Sequence, residues 1–142
     1  MRSYEAGDLG KTICIHLEKG EAILESIEKA ITQYGIRNGM IVSGIGSANK
    51  ICYHRIGSTE DVPTNEYITV EGPIEVTSIQ GLIIDGQPHL HINCCSREQA
   101  FGGHLEHGSV VQYLGEIAIL ECPNAELTRR LDAFGISYID RK

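Results

Sequence analysis

Apolar and polar positions alternate along much of the chain, as is typical of strands whose two faces meet different surroundings. The segment KTICIHLE, residues 11–18, places Ile13, Ile15 and Leu17 on one face. Similar strand-like runs follow at residues 38–56, 67–70, 74–84, 89–95 and 108–122. Asp85 and Gly86 predict a tight hairpin turn before the run that begins at residue 89. The pattern therefore predicts a mostly antiparallel sheet.

Two segments have the spacing of helices instead. Between Glu21 and Tyr34 the apolar residues recur every three or four positions, and Gly35 can end that helix. A shorter stripe between Asn124 and Gly135 predicts a final helix, and its apolar members are Leu127, Leu131 and Phe134. The expected fold is α+β, one domain over residues 1–142, with a mostly antiparallel sheet flanked by helices.

Composition narrows the class of protein. The formal net charge is -7 and the basic residues are scattered, which disfavours binding to nucleic-acid phosphates. No apolar run is long enough to span a bilayer, and the N-terminal residues are too acidic for a signal peptide. Five cysteines without a CxxC pair indicate reduced thiols, so we expect a cytoplasmic protein. Most of the cysteines in strand-like runs are expected to be buried: Cys14, Cys52, Cys94 and Cys122.

Candidate chemistry is concentrated in HLHINCCSREQAFGGH, residues 89–104. On a strand, His89 and His91 point the same way, about 6.6 Å apart along the backbone. His104 follows Gly102 and Gly103, which allow a sharp bend or a close approach to another strand. Three imidazoles with an open fourth position are typical of a catalytic zinc site, although copper, nickel or iron would also suit them. The alternative is that these are ordinary surface or hydrogen-bonded histidines.

Other residues are weaker candidates. Glu75 is the only charged residue in its apolar run. If it is buried, it is a candidate partner of the metal ligands or an acid–base group. The alternative is that it is an exposed strand residue. Cys95 would lie about 13 Å from His91, too far to share one ion. His107 is a looser ligand candidate, and His54 is expected to be exposed rather than catalytic.

Several segments, in order, resemble one known family: LEKGEAILESIEKAITQYGIRNGMIVSGIGS, IEVTSIQGLI, HLHINCC, GGHLEHG, GEIAIL and RRLDAFG. The chain resembles the PPC family, "plants and prokaryotes conserved", over nearly its whole length. The resemblance implies a homotrimer with sites near subunit boundaries and a metal bound by residues that correspond to His89, His91 and His104. Plant members carry AT-hook segments that bind DNA, but this chain has no Arg-Gly-Arg-Pro core, so that role is not transferred. The fold is also similar to that of acetolactate decarboxylase, a zinc enzyme, which is an analogy of fold only.

Two functional hypotheses follow. In the first, the protein is a metal-dependent enzyme or small-molecule binder, with Glu75 or a carboxylate from a neighbouring subunit moving protons. In the second, it is a trimeric regulatory or interaction module whose metal is structural. DNA binding by analogy with the plant proteins ranks third.

Overall fold

A computed structural model describes all 142 residues, most of which lie in eight strands. In chain order the elements are β1 (Thr12–Glu18), α1 (Ile23–Tyr34), β2 (Gly39–Ile56), β3 (Asn65–Ile84), β4 (Gln87–Cys95), β5 (Ala100–Leu105), β6 (Val110–Glu121), β7 (Leu127–Leu131) and β8 (Ser137–Arg141). No helix is long and apolar enough to cross a membrane.

Six strands form one antiparallel sheet in the order β1-β6-β2-β3-β4-β5. The 18 residues of β2 and the 20 residues of β3 make these strands long enough to pair with different neighbours at their two ends. The last strand, β5, also pairs with the C-terminal part of β2. Strands β2, β3, β4 and β5 therefore close into a ring, while β7 and β8 form a separate hairpin.

The core lies on the inner face of this sheet, where 22 buried residues form one cluster. The predicted first helix is confirmed, since α1 packs Ile27 and Ile31 into that cluster and ends at Gly35. Strand β4 shows the predicted alternation, because Leu90 and Ile92 are buried. The polar residues of the same strand consequently face outward.

The α+β prediction, with a sheet flanked by helices, is wrong: the fold is a β-rich antiparallel structure with one short helix. The predicted final helix at residues 124–135 is the β7–β8 hairpin, in which Asp132 accepts backbone hydrogen bonds within the turn. Leu127 and Leu131 are four residues apart, a spacing that keeps two side chains on one face of a strand as well as of a helix. Leu131 is 69% exposed and Phe134 is 53% exposed, so Leu127 is the only member of the supposed helical stripe that is buried.

The cysteines divide between the core and the surface. Cys94 and Cys122 are buried as predicted, and Cys52 is partly buried. Cys14, which alternation along β1 places opposite the core, is exposed. The prediction that most of these thiols are buried therefore holds for half of them.

Candidate metal centre

The β4–β5 hairpin brings the three predicted histidines together. His91 on β4 pairs directly with His104 on β5, and His89 lies two residues earlier on the same face of β4. Paired residues of an antiparallel sheet project to the same side. Because Leu90, Ile92 and Leu105 fill the core, the three imidazoles stand on the outer face of the sheet.

The spacing of the three rings suits a shared ion. Their centroids are separated by 5.6 Å for His89 and His91, 5.0 Å for His89 and His104, and 5.7 Å for His91 and His104. Three imidazoles bound to one tetrahedral zinc ion, with Zn–N distances of about 2.0–2.1 Å, would have centroids about 5 Å apart. Three nitrogen donors are chemically suited to zinc, and the centroid distances are compatible with a tri-histidine site once the rings turn so that one nitrogen of each meets the ion.

Gly102 and Gly103 are required by close packing of β5 between its neighbours. A Cβ at Gly102 would meet the backbone carbonyl oxygen of Ile92 and lie 3.0 Å from Oδ1 of Asn93. A Cβ at Gly103 would meet the carbonyl oxygen of His54. Of the two predicted reasons for the double glycine, a sharp bend or a close approach to another strand, the close approach is the one found, on both sides of β5.

Glu106 connects the trio to a fourth histidine, His54. Its Oε1 lies 3.1 Å from Nδ1 of His104 and 2.5 Å from Nδ1 of His54. An ionised carboxylate only accepts hydrogen bonds, so both Nδ1 atoms donate, and in a neutral His104 ring the free lone pair is then on Nε2. A metal-ligating histidine commonly donates its second nitrogen to a carboxylate in this manner.

His54, His104 and Glu106 also form a possible ligand group of their own, since their ligand atoms all lie within 4.8 Å of one another. The rings of His54 and His104 are stacked, with centroids 4.5 Å apart. The 2.5 Å contact between Glu106 and His54 is a hydrogen-bond distance. Two ligand atoms on one tetrahedral zinc ion would be more than about 3 Å apart. We therefore assign Glu106 to hydrogen bonding with these histidines rather than to coordination.

The electrostatic environment favours neutral imidazoles, the form that binds metal. Burial lowers the pKa of His89, and the positive charge of Arg129 lowers it further. Burial also lowers the pKa of His104, as does His54, while Glu106 acts in the opposite direction. These two rings are thus disposed to lose their protons more readily than a free histidine.

The weaker candidates lie elsewhere. Glu75 is exposed and pairs with Cys95, four residues along β4 from His91. Nothing in its surroundings joins it to the histidine cluster. His107 forms an ion pair with Glu28 of α1 at 2.9 Å.

Sequence reasoning did not place His54 or Glu106 in the candidate site. Only 18% of the His54 side chain is exposed, against the expectation of an exposed strand residue. Its position depends on the β2–β5 pairing, which joins residues 50 apart and has no local signal. Glu106 could have been found, because it lies two residues after His104 and side chains at that spacing share a face.

Comparisons with known proteins agree with this architecture. The family model described as the Plants and Prokaryotes Conserved (PCC) domain matches residues 4–123. A PPC protein from Pyrococcus horikoshii is 27% identical, with a TM-score of 0.76 over 95% of this chain and 94% of that one. A metal-containing protein from Archaeoglobus fulgidus is 23% identical, with a TM-score of 0.73 over 95% of both chains. A candidate DNA-binding protein from Bacteroides thetaiotaomicron is 18% identical, with a TM-score of 0.80 over 96% of this chain and 99% of that one.

A curated relative is much longer than this chain. The bifunctional protein GlmU of a Synechococcus strain is 24% identical over 119 residues, which are 83% of this chain. The match spans only 18% of GlmU. This likeness is therefore confined to a small part of that protein.

Proposed function

The chain belongs to the Plants and Prokaryotes Conserved domain family, and on that premise we propose that it is a metal-dependent protein that binds a small molecule at a zinc ion held by His89, His91 and His104. The observation that carries the proposal is the separation of 5.0–5.7 Å among the three ring centroids. The name of the Archaeoglobus relative, a metal-containing protein, supports it as well.

The residues around the trio would prepare it for metal. Glu106 accepts from Nδ1 of His104 and thereby fixes which nitrogen of that ring faces the ion. His54, held by the same carboxylate oxygen, limits rotation of the Glu106 side chain. Zinc bound by three histidines would supply a Lewis-acidic position open to water or to a substrate oxygen. A small molecule bound through an oxygen atom is therefore the expected ligand, whether it is turned over or only sensed.

The test is the metal content of protein purified without an affinity tag, measured by elemental analysis with the wild type as reference. The expected result is about one transition-metal ion per chain, lost in His104→Ala and His91→Ala while circular dichroism shows an unchanged fold. The matched controls are His16→Ala and His107→Ala, which remove histidines outside the cluster and should keep the metal. Retention of full metal by His104→Ala would refute the assignment.

The role of Glu106 has its own measurement. Glu106→Ala removes the acceptor for both Nδ1 atoms but leaves the three proposed ligands in place. The dissociation constant for zinc, determined by competition with a chromophoric chelator, should rise by about 10–100-fold. An unchanged constant would show that the carboxylate does not orient His104.

We also propose, as a second candidate function, that copies of the chain assemble into a homotrimeric interaction module. The support is the uncovered face of β1, β6 and β2, on which exposed apolar side chains stand: Cys14, Val42, Ile45 and Leu114. Large contiguous apolar patches on a protein surface mark interaction sites. Light scattering after size-exclusion chromatography should give three times the mass of one chain, and Ile45→Lys should reduce that mass. A monomeric wild type would contradict the assembly, while dissociation on chelation would indicate that the metal is structural.

A further inference from the structure

The β7–β8 hairpin lies against the sheet beside the histidine cluster. Thr128 of β7 donates a hydrogen bond to Asp85 at the β3–β4 turn, and Lys142, just after β8, contacts the same carboxylate at 2.8 Å. A cavity of about 430 Å³, lined mainly by apolar side chains, lies between the hairpin, the main sheet and the N-terminal residues, of which Arg2 and Tyr4 line it. Leu82 of β3 lines this cavity and pairs directly with His89. The cavity and the proposed metal centre are therefore neighbours on one face of the sheet.

Arg129 lies on the face of the hairpin that carries Leu127 and Ile139, a face that it shares with Arg141, the cross-strand partner of Leu127. Its cross-strand partner is Ile139, and paired residues share a face of the hairpin. Ile139 lines the cavity, as does Leu127, which lies two residues before Arg129 on the same face of β7. Arg129 therefore shares a face of β7 with a residue that lines the cavity, and it is close enough to His89 for its positive charge to lower the pKa of that histidine.

Arg129 has no carboxylate within ion-pair distance, in contrast to the next residue. Arg130, on the opposite face, forms an ion pair with Asp140 at 3.1 Å. The Arg129 side chain is partly buried, and burial lowers its pKa. A desolvated guanidinium without a counter-charge is unfavourable, and such a group is stabilised when an anion binds to it.

We propose that Arg129 binds the anionic group of the ligand, which is a small molecule carrying a carboxylate or a phosphate. The inference deepens the proposed function and rests on it, because the metal ion would hold a second oxygen of the same molecule. A guanidinium presents paired donors that match the two oxygens of either group. The neighbouring cavity would receive a short apolar portion of the ligand.

The experiment compares two adjacent arginines in the full chain. Arg129→Gln removes the unpaired charge, and Arg130→Gln is the matched control that removes a charge already paired. Each protein is loaded with cobalt(II), its metal content is measured, and its visible absorption is titrated with inorganic phosphate and separately with 2-oxobutyrate. The expected result is wild-type metal content in both variants. In Arg129→Gln the dissociation constant for at least one anion rises about tenfold or more, as expected for loss of a charge-assisted hydrogen bond.

The outcomes separate the two proposals. A wild-type dissociation constant for both anions in Arg129→Gln, or an equal loss in Arg130→Gln, overturns the inference, as does failure of the wild type to bind either anion. The anion that is weakened identifies a carboxylate or a phosphate as the recognised group. Arg129→Lys keeps the positive charge but lacks the paired donors of the guanidinium, so it should bind the anion with intermediate affinity. This variant keeps the inference testable if Arg129→Gln does not fold. If the wild type holds no metal, the proposed function fails, and calorimetric titration of the metal-free protein still compares the two arginine variants.

Discussion

Gly103→Ala is the substitution for which the structure gives the sharpest expectation. A Cβ at this position would lie 2.8 Å from the Tyr53 ring and closer still to the carbonyl oxygen of His54. Neither neighbour can easily move, because Tyr53 is buried and His54 belongs to the sheet. Strand β5 would have to retreat from β2 by about half an ångström or more, and overpacking of this kind costs about 1–3 kcal/mol. For a chain of this size the melting temperature should fall by about 3–10 °C.

Differential scanning calorimetry in the presence of a chelator would measure this effect without a contribution from bound metal. Gly115→Ala is the matched control, since it also adds a methyl group to a strand of the same sheet. There the added Cβ meets its nearest neighbour, Leu17, at an ordinary 3.4 Å. Gly103→Ala should also weaken metal binding, because His104 moves with β5, whereas Gly115→Ala should not. Equal melting temperatures for wild type, Gly103→Ala and Gly115→Ala would refute the close-packing argument.

Three further predictions concern reactivity and stability. Burial raises the pKa of the Cys94 thiol to about 12, so iodoacetamide at pH 8 should label Cys94 only after unfolding, as peptide mass spectrometry would show. A hydrogen bond from Lys142 lowers the pKa of Asp85. The ionised carboxylate therefore stabilises the folded protein above the ordinary carboxyl pKa, and this stabilisation is lost as the pH falls through the lowered pKa. Asp85→Asn should melt at a lower temperature than wild type at pH 7, and the difference should shrink in acid. Ile92 is completely buried, and urea titration should show that Ile92→Ala loses about 2–5 kcal/mol.

Local signals in the sequence were sufficient to predict the β3–β4 hairpin and the face of β4 on which its histidines lie. Asp85 and Gly86 adopt φ angles of 53° and 79°, the left-handed conformations that a tight hairpin turn needs. Once that turn is placed, strict alternation through β4 puts His89 and His91 opposite Leu90 and Ile92. Register in such a strand is well specified, because a shift by one residue would bury the histidines.

The C-terminal hairpin could not be recognised in this way. Leu127 and Leu131 fit both periods, and only the tertiary environment distinguishes a strand at this position from a helix. Gly135 has a φ of 79°, which would suit the end of a helix but here belongs to the β7–β8 turn. This misassignment concealed Arg129, since its relation to the histidines depends on the hairpin folding back over β3.

Which residues belong to the candidate site depends on the pairing of β5 with both β4 and β2, which closes the four strands β2 to β5 into a ring. Through the two pairings of β5, His91, His104 and His54 stand side by side on adjacent strands. Glu106 can reach two of these rings only because β5 lies between β4 and β2, and that position is open only to a strand with glycine at both crowded points. The double glycine, rather than the histidine pair alone, therefore determines whether a fourth imidazole and a carboxylate join the trio. A sequence with the same HxH pair but larger residues at these two positions should lack the Glu106 hydrogen bonds, and its third histidine would be left without a fixed orientation.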